Sequence, residues 1–170
     1  MLPLPGQRNQ VKGLYTAEQK KRRDDSVWTL VQGILAPFQF VVCFISTFFV
    51  VRYLLSGEGY LLATISIIIK TGILYTIMIT GAIWEKEVFG QYLFAKAFFW
   101  EDVVSFGVIA LHSFYLIVLF GSFLTVDQQM YVALAAYSAY IINALQFLLK
   151  LRASRLGEQE IAKIHEGATI

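Results

Sequence analysis

Apolar residues in this chain gather into four long blocks rather than alternating or forming narrow stripes. The first runs from about Trp28 to Leu55 and the second from about Leu61 to Ile83. The third covers about Val103 to Leu124 and the fourth about Met130 to Leu151. Each exceeds the ~20 residues a helix needs to cross the hydrocarbon core of a bilayer. Only a structure that bonds its own backbone survives there, so the blocks predict four transmembrane helices. The connectors SGEGY (56–60) and TVDQQ (125–129) are short and carry turn and cap residues, which predicts tight helical hairpins. Pro37 lies inside the first block and predicts a kink, tolerated where neighbouring helices satisfy the freed carbonyl.

The first block is too long for a signal-peptide core and lies behind a polar N-terminal stretch of more than twenty residues, so a cleaved signal is not expected. Thr16 and Gln19 have capping-box spacing and predict a short interfacial helix over Ala17 to Asp25. The tail after Arg155 reads as a short polar helix or disorder. The fold class is therefore an all-α integral membrane protein, a four-transmembrane-helix bundle. Residues 1–26 form the N-terminal segment, 27–155 the transmembrane domain and 156–170 the C-terminal tail.

Between the second and third blocks the chain reads IWEKEVFGQYLFAKAFFWED (83–102), with tryptophan beside glutamate at both ends. The stretch is too short and interrupted for another span, and predicts an interfacial segment or a lid. Tryptophan favours the membrane interface, so an aromatic belt accounts for Trp84 and Trp100. It accounts less well for Glu85, Glu87, Glu101 and Asp102. The plain reading of these acids is a rim paired with Lys86 or Lys96.

Composition sharpens the membrane reading. Of 170 residues, 57% are hydrophobic and 15% charged, where a soluble domain carries about a quarter charged. Net charge is +2 and identifies no partner. Cys43 is the single cysteine, so no intrachain disulfide forms. Metal-ligand spacing, glycine-rich phosphate loops and nucleophile elbows are absent, and no long basic stretch suggests nucleic acid. Basic residues precede the first block (Arg8, Lys12, Lys20, Lys21, Arg22, Arg23), lie between the second and third (Lys86, Lys96) and close the fourth (Lys150, Arg152, Arg155, Lys163). The other side has Arg52 alone. The positive-inside rule predicts a multi-pass inner-membrane protein with both termini cytoplasmic.

Polar residues inside the spans need a reason. A lysine at mid-membrane costs ~2.5–3.5 kcal/mol on insertion scales, and Lys70 stands well inside its block, far from both ends. His112 is central in the third block. Asn143 and Gln146 in the fourth suit interhelical hydrogen bonding. Gln32, Gln39, Ser46 and Tyr53 recur every seven residues and predict a packing seam. Counted from the cytoplasmic ends, Gln39, Lys70, His112 and Asn143 lie roughly 12–21 Å deep at 1.5 Å per residue. Glu101 and His112 are eleven residues apart, three turns, and share a face with Ser105 and Tyr115. The pattern predicts a bundle with a polar-dotted interior cavity whose cytoplasmic mouth carries carboxylates and aromatics. That suits a flat, apolar ligand with one polar edge.

The stretches LYTAEQKKRRDDSVWTLVQGILAPFQF, RYLLSGEGY, IIIKTGILYTIMITGAIWEKEVFGQYLFAKAFFWEDVVSF and IALHSFY resemble the 3-vinyl (bacterio)chlorophyllide hydratase family of bacteriochlorophyll biosynthesis, also called 2-vinyl bacteriochlorophyllide hydratase. The resemblance runs from about Leu14 to Arg155. It implies a hydro-lyase that adds water to the C3 vinyl group of a magnesium chlorin, giving a 1-hydroxyethyl group, with no cofactor. It assigns no residue roles.

Such an addition needs a proton at the terminal CH₂, a cation delocalised into the ring, and a positioned water helped by a base. Carboxyls at an apolar mouth suit the acid, because desolvation favours their protonated form. Glu101, Glu85 and Asp102 are the candidate acids, in that order. His112 has two candidate jobs, relaying the proton or ligating the substrate magnesium axially; no protein metal site is expected. Lys70, Gln39, Trp84, Trp100, Tyr115 and Asn143 are candidate substrate contacts, with Arg22, Arg23 or Arg152 near the propionate. Partners implied are the chlorophyllide and the lipid bilayer. A second copy of the chain or other enzymes of the pathway stay open, and nucleic acid is not expected. The alternative reading is a non-enzymatic tetrapyrrole carrier or photosystem assembly protein, which would use the same cavity without the acids.

Overall fold

The computed structural model describes residues 14–167. Five helices follow one another: α1 (Ala17–Asp25), α2 (Val27–Ser56), α3 (Tyr60–Phe89), α4 (Phe99–Gly121) and α5 (Val126–Gly167). No strand occurs among the described residues. The four long helices are each long and apolar enough to cross a membrane. Two run further than their apolar blocks. α3 continues past Ile83 to Phe89, so Trp84, Glu85 and Val88 are helical, and α5 continues past Arg155 to Gly167 as one helix. α2 runs through Pro37 as a single helix.

The turns form where the sequence supplies the right backbone freedom. Gly57 (φ 72°) closes α2 and Gly59 (φ 87°) opens α3, both in the left-handed region that glycine adopts without a Cβ penalty. At the N-terminus the capping box is present: the Thr16 hydroxyl accepts from the Gln19 N–H, and the Gln19 side chain accepts from the Thr16 N–H. α1 is docked on the end of α3, where Tyr15 stacks on Phe89 at 5.7 Å between ring centroids.

Packing is strongest within two hairpins, α2–α3 and α4–α5. The hairpins meet more sparingly, along α2–α5 and α3–α4, and so close a ring of four helices. The bundle is inside-out relative to a soluble protein. Only 22–33% of each helix's most apolar window is buried within it, while Phe44, Phe48, Ile79 and Phe120 face outward, as lipid exposure demands. The half of the interior nearer the SGEGY and TVDQQ turns is mainly apolar, with Val50, Ala63, Ile67, Met130 and Ala133 buried. Alanines there let helices approach closely, which is how helices associate when lipid removes the hydrophobic incentive. The other half carries most of the buried polar side chains.

The polar row on α2 is a seam, as its period predicts. The Gln32 amide donates to Thr80 (2.7 Å), Ser46 meets Ser66 (2.7 Å) and Tyr137 (2.6 Å), and the Tyr53 hydroxyl donates to Asp127 (3.3 Å). Gln39 is the exception: it is fully buried, and neither side-chain atom has a partner among the described residues.

Candidate functional site

The repeated Trp-Glu stretch builds the first of two polar layers. Because α3 extends to Phe89 and α4 starts at Phe99, Glu85 ends one helix and Glu101 and Asp102 begin the next. All three carboxyls are buried, with 4%, 8% and 3% of their surface exposed. Residues 90–98 connect the helices and fold back against them. The loop's backbone is held by the acids: the Phe94 N–H donates to Asp102 Oδ2 at 2.7 Å and the Ala95 N–H to Glu85 Oε2 at 3.3 Å. Glu85 and Asp102 also lie within hydrogen-bonding reach of each other. A hydrogen bond between two carboxyl groups requires a proton on one of them. Glu101 differs. Lys150, one helix away on α5, donates to its Oε2 at 2.6 Å in an ion pair.

Aromatic rings close this end. Phe98 is buried at the centre of a cluster with Tyr15, Trp84, Phe89 and Phe147, each between 5.6 and 6.4 Å from it. The open mouth expected from the sequence is therefore stoppered by the 90–98 loop and its rings. The two tryptophans part company. The Trp84 indole N–H donates to Thr29 (2.9 Å), whose hydroxyl donates to the Arg23 carbonyl (2.6 Å), tying α3 to the α1–α2 junction. Trp100 is 70% exposed and packs edge-on against Phe99, outside the cluster. The rim pairing also differs from the plain expectation. Lys86 caps α3 by donating to the Gly90 carbonyl (2.8 Å), and the partner of Glu101 is Lys150.

The second layer lies deeper. On α4, Glu101, Asp102, Ser105, Val108, His112 and Tyr115 all face inward, as the three-turn spacing predicts. Lys70 is fully buried, with Nζ 3.6 Å from the centre of the Tyr140 ring and 5.9 Å from that of Tyr137. The His112 ring lies 5.8 Å from Tyr137 and within electrostatic reach of Lys70. Its Nδ1 contacts the Val108 carbonyl at 2.8 Å. A carbonyl only accepts, so Nδ1 carries the hydrogen. Gln39 sits one turn from Cys43, itself within electrostatic reach of Lys70, and Asn143 lies one turn from Tyr140. The Asn143 amide donates to Ser105 at 2.7 Å. Tyr115 is buried about one turn beyond His112, away from the carboxyls.

Most of this layer is unsatisfied. Lys70 Nζ, His112 Nε2, both polar atoms of the Gln39 amide and Asn143 Oδ1 are buried with no hydrogen-bond partner among the described residues. A buried polar group without a partner costs about 1–3 kcal/mol, more if charged.

Sequence reasoning found the members of both layers but missed Lys150, Tyr137 and Tyr140. Lys150 was absorbed into the positive-inside count. The tyrosines announce themselves only through their spacing with Asn143, three residues apart and so close to one face of α5.

The model of the 2-vinyl bacteriochlorophyllide hydratase (BCHF) family matches residues 15–153. The chain belongs to this family. It is 62% identical over 155 residues to the 2-vinyl bacteriochlorophyllide hydratase of Rhodobacter capsulatus, covering 91% of this chain and 90% of that protein. To the protein of the same name from Cereibacter sphaeroides it is 66% identical over 143 residues, covering 84% and 89%. No solved structure matches. The hydratase family match spans both polar layers, from Tyr15 of the aromatic stopper past Lys150 on α5.

Proposed function

We propose that this chain is a membrane hydratase of bacteriochlorophyll biosynthesis that adds water across the C3 vinyl group of chlorophyllide a or 3-vinyl bacteriochlorophyllide a. Family membership supports the reaction. The observation that carries its chemistry is the buried carboxyl pair, Glu85 with Asp102, beside the ion-paired Glu101.

Hydration needs one proton donor and one proton acceptor at the same double bond. The two vinyl carbons are bonded neighbours, so both groups must act at one spot. Glu101 and His112 are eleven residues apart on one helix, a rise of ~16 Å, too far for direct action on a single vinyl group. The rim offers both roles at once. The Glu85–Asp102 pair holds a proton between two oxygens, and one of the two gives it to the terminal CH₂. The cation at the inner carbon spreads into the macrocycle. Water attacks that carbon, and Glu101, ion-paired with Lys150, takes the water's proton. Glu101 then gives up that proton and the pair takes one up, so no net proton is consumed, and vinyl plus water has become 1-hydroxyethyl. This assignment moves Glu101 from first-ranked acid to base.

Substrate must displace the stopper, so loop opening and exposure of the acids are one event. Both termini and the stopper lie on the cytoplasmic side, because the basic residues cluster there. Cysteine labelling of Ser56→Cys and Gln128→Cys from the outside tests this, and labelling from the inside alone would refute it.

The decisive assay incubates membranes carrying the chain with 3-vinyl chlorophyllide and no added cofactor. A product heavier by one water, with a blue-shifted red band from lost vinyl conjugation, is the expected result. Bound but unchanged pigment would replace the hydratase with a tetrapyrrole carrier.

A further inference from the structure

The carboxyl layer accounts for proton transfer and leaves the deeper layer without a task. Its residues come from all four long helices, and they line the boundary between the α2–α3 and α4–α5 hairpins, the boundary along which the bundle packs most sparingly. A flat guest enters a four-helix bundle most cheaply by parting two hairpins, because each hairpin keeps its own contacts.

The His112 ring is already fixed for one kind of ligation. Its Nδ1–H is committed to the Val108 carbonyl at 2.8 Å. In the neutral ring this leaves Nε2 as a bare lone pair, and that atom is buried with no partner among the described residues. A backbone carbonyl on one ring nitrogen is how metal-ligating histidines are commonly oriented. The same bond makes a poor proton relay, since a relay must load and unload both nitrogens and the Val108 carbonyl supplies no proton. Lys70 Nζ stands nearby over Tyr140 with donors and no acceptor among the described residues. The layer therefore offers a Lewis base for a metal and a cationic donor for an oxygen, inside an apolar wall.

Building on the chlorin substrate of the proposed function, we propose that the boundary between the two hairpins is the slot for the macrocycle. In it His112 Nε2 binds the substrate's magnesium axially and Lys70 Nζ donates to an acceptor oxygen on the ring periphery. Ligation at His112 places the metal deep and leaves one edge of the ring to point toward the carboxyl layer.

The test uses the full chain in detergent and two probes, chlorophyllide a and its magnesium-free counterpart. Binding is followed by the red absorption band, and coordination by the ring-stretching Raman bands that report axial ligation. The wild-type chain should prefer the magnesium chlorin by at least about tenfold, the lower end of what losing even a supporting partner of a metal-bound histidine costs. His112→Leu should abolish the preference and the ligation bands while still binding the metal-free chlorin. His112→Gly should regain both on addition of imidazole. Equal affinity of the wild-type chain for the two probes overturns the proposal with no variant needed, as does a His112→Leu chain that keeps the preference. Should His112→Leu fail to fold, the imidazole dependence of His112→Gly decides alone. Hydration is assayed in the same samples. Metal preference without hydration leaves the slot standing and removes the hydratase reading, whereas hydration with a preference indifferent to His112 does the reverse.

Discussion

Two polar layers lie in one bundle, and they are built on opposite principles. At the rim each carboxyl is bonded: Glu85 to the Ala95 N–H and within reach of Asp102, Asp102 to the Phe94 N–H, and Glu101 to Lys150. In the interior Lys70, His112 Nε2 and the Gln39 amide are buried with no hydrogen-bond partner among the described residues. A satisfied network holds its geometry and can keep a proton; an unsatisfied one costs stability until something fills it. The rim is therefore suited to chemistry in place, and the interior to receiving a ligand. Neither layer alone makes a hydratase of a macrocycle, since one lacks a seat for the ring and the other lacks an acid.

The sharpest break between the layers is expected in turnover. Glu85→Gln and Asp102→Asn keep an oxygen to accept the loop N–H but remove the shared proton. General acid catalysis contributes typically 10²–10⁴-fold, so the hydration rate of at least one variant should fall by about that factor with chlorin binding intact. Rates within a few-fold of the parent in both would reduce the rim to a latch for the loop, and the comparison would collapse. Glu101→Gln should also lose turnover, as the base.

Lys70→Met should show the interior's opposite character. Removing a buried lysine that has no hydrogen-bond partner among the described residues relieves part of the ~2.5–3.5 kcal/mol that a mid-membrane lysine costs, against the loss of its contact with the Tyr140 ring, so the thermal midpoint in detergent should hold or rise. Chlorin affinity should fall, by roughly tenfold for one lost charged hydrogen bond of about 1.5 kcal/mol. A variant that is less stable and binds normally would make Lys70 a structural residue.

How legible this was depends on the layer. The four spans, the hairpin turns, the α1 capping box and the inward face of α4 follow from block length, glycine position and helical period, all local properties. That Gln39, Lys70, His112 and Asn143 turn inward followed too, because a polar side chain inside an apolar block avoids lipid. Partnerships did not. That Glu101 would meet Lys150 on α5, while Lys86 turned back to cap its own helix, depends on where distant helices meet. Nor could the sequence show that the mouth is closed. Phe98 becomes a plug only because α3 outruns its apolar block by two turns and the loop folds back over the acids.

The ion pair at the rim gives a smaller effect. Lys150→Met leaves the buried Glu101 carboxyl without its ion-pair partner, whereas Lys150→Met with Glu101→Gln removes both members of the pair. The double variant should be more stable than the sum of the single losses predicts, by about 1–3 kcal/mol in a thermal cycle, as contacting residues show. Simple additivity would mean that the rim is less tightly coupled than its geometry indicates, and closer in kind to the interior.

The smallest effect probes the loop the rim holds. Phe94 sits at φ 60°, a left-handed conformation that costs a non-glycine residue roughly 1–2 kcal/mol. Its ring stacks on Phe106 (5.5 Å) and leans on Phe99 (5.7 Å), so removing the side chain also removes aromatic packing. Phe94→Ala loses the rings and keeps the strain. Phe94→Gly loses the same rings and releases the strain. Glycine should therefore be the more stable of the two by about 1 kcal/mol, in reverse of the usual order within helices. Thermal midpoints of the pair isolate the backbone from the ring contacts. If alanine is as stable as glycine, the loop is not held in a strained turn by Asp102, and the stopper owes its closure to Phe98 and its neighbours alone.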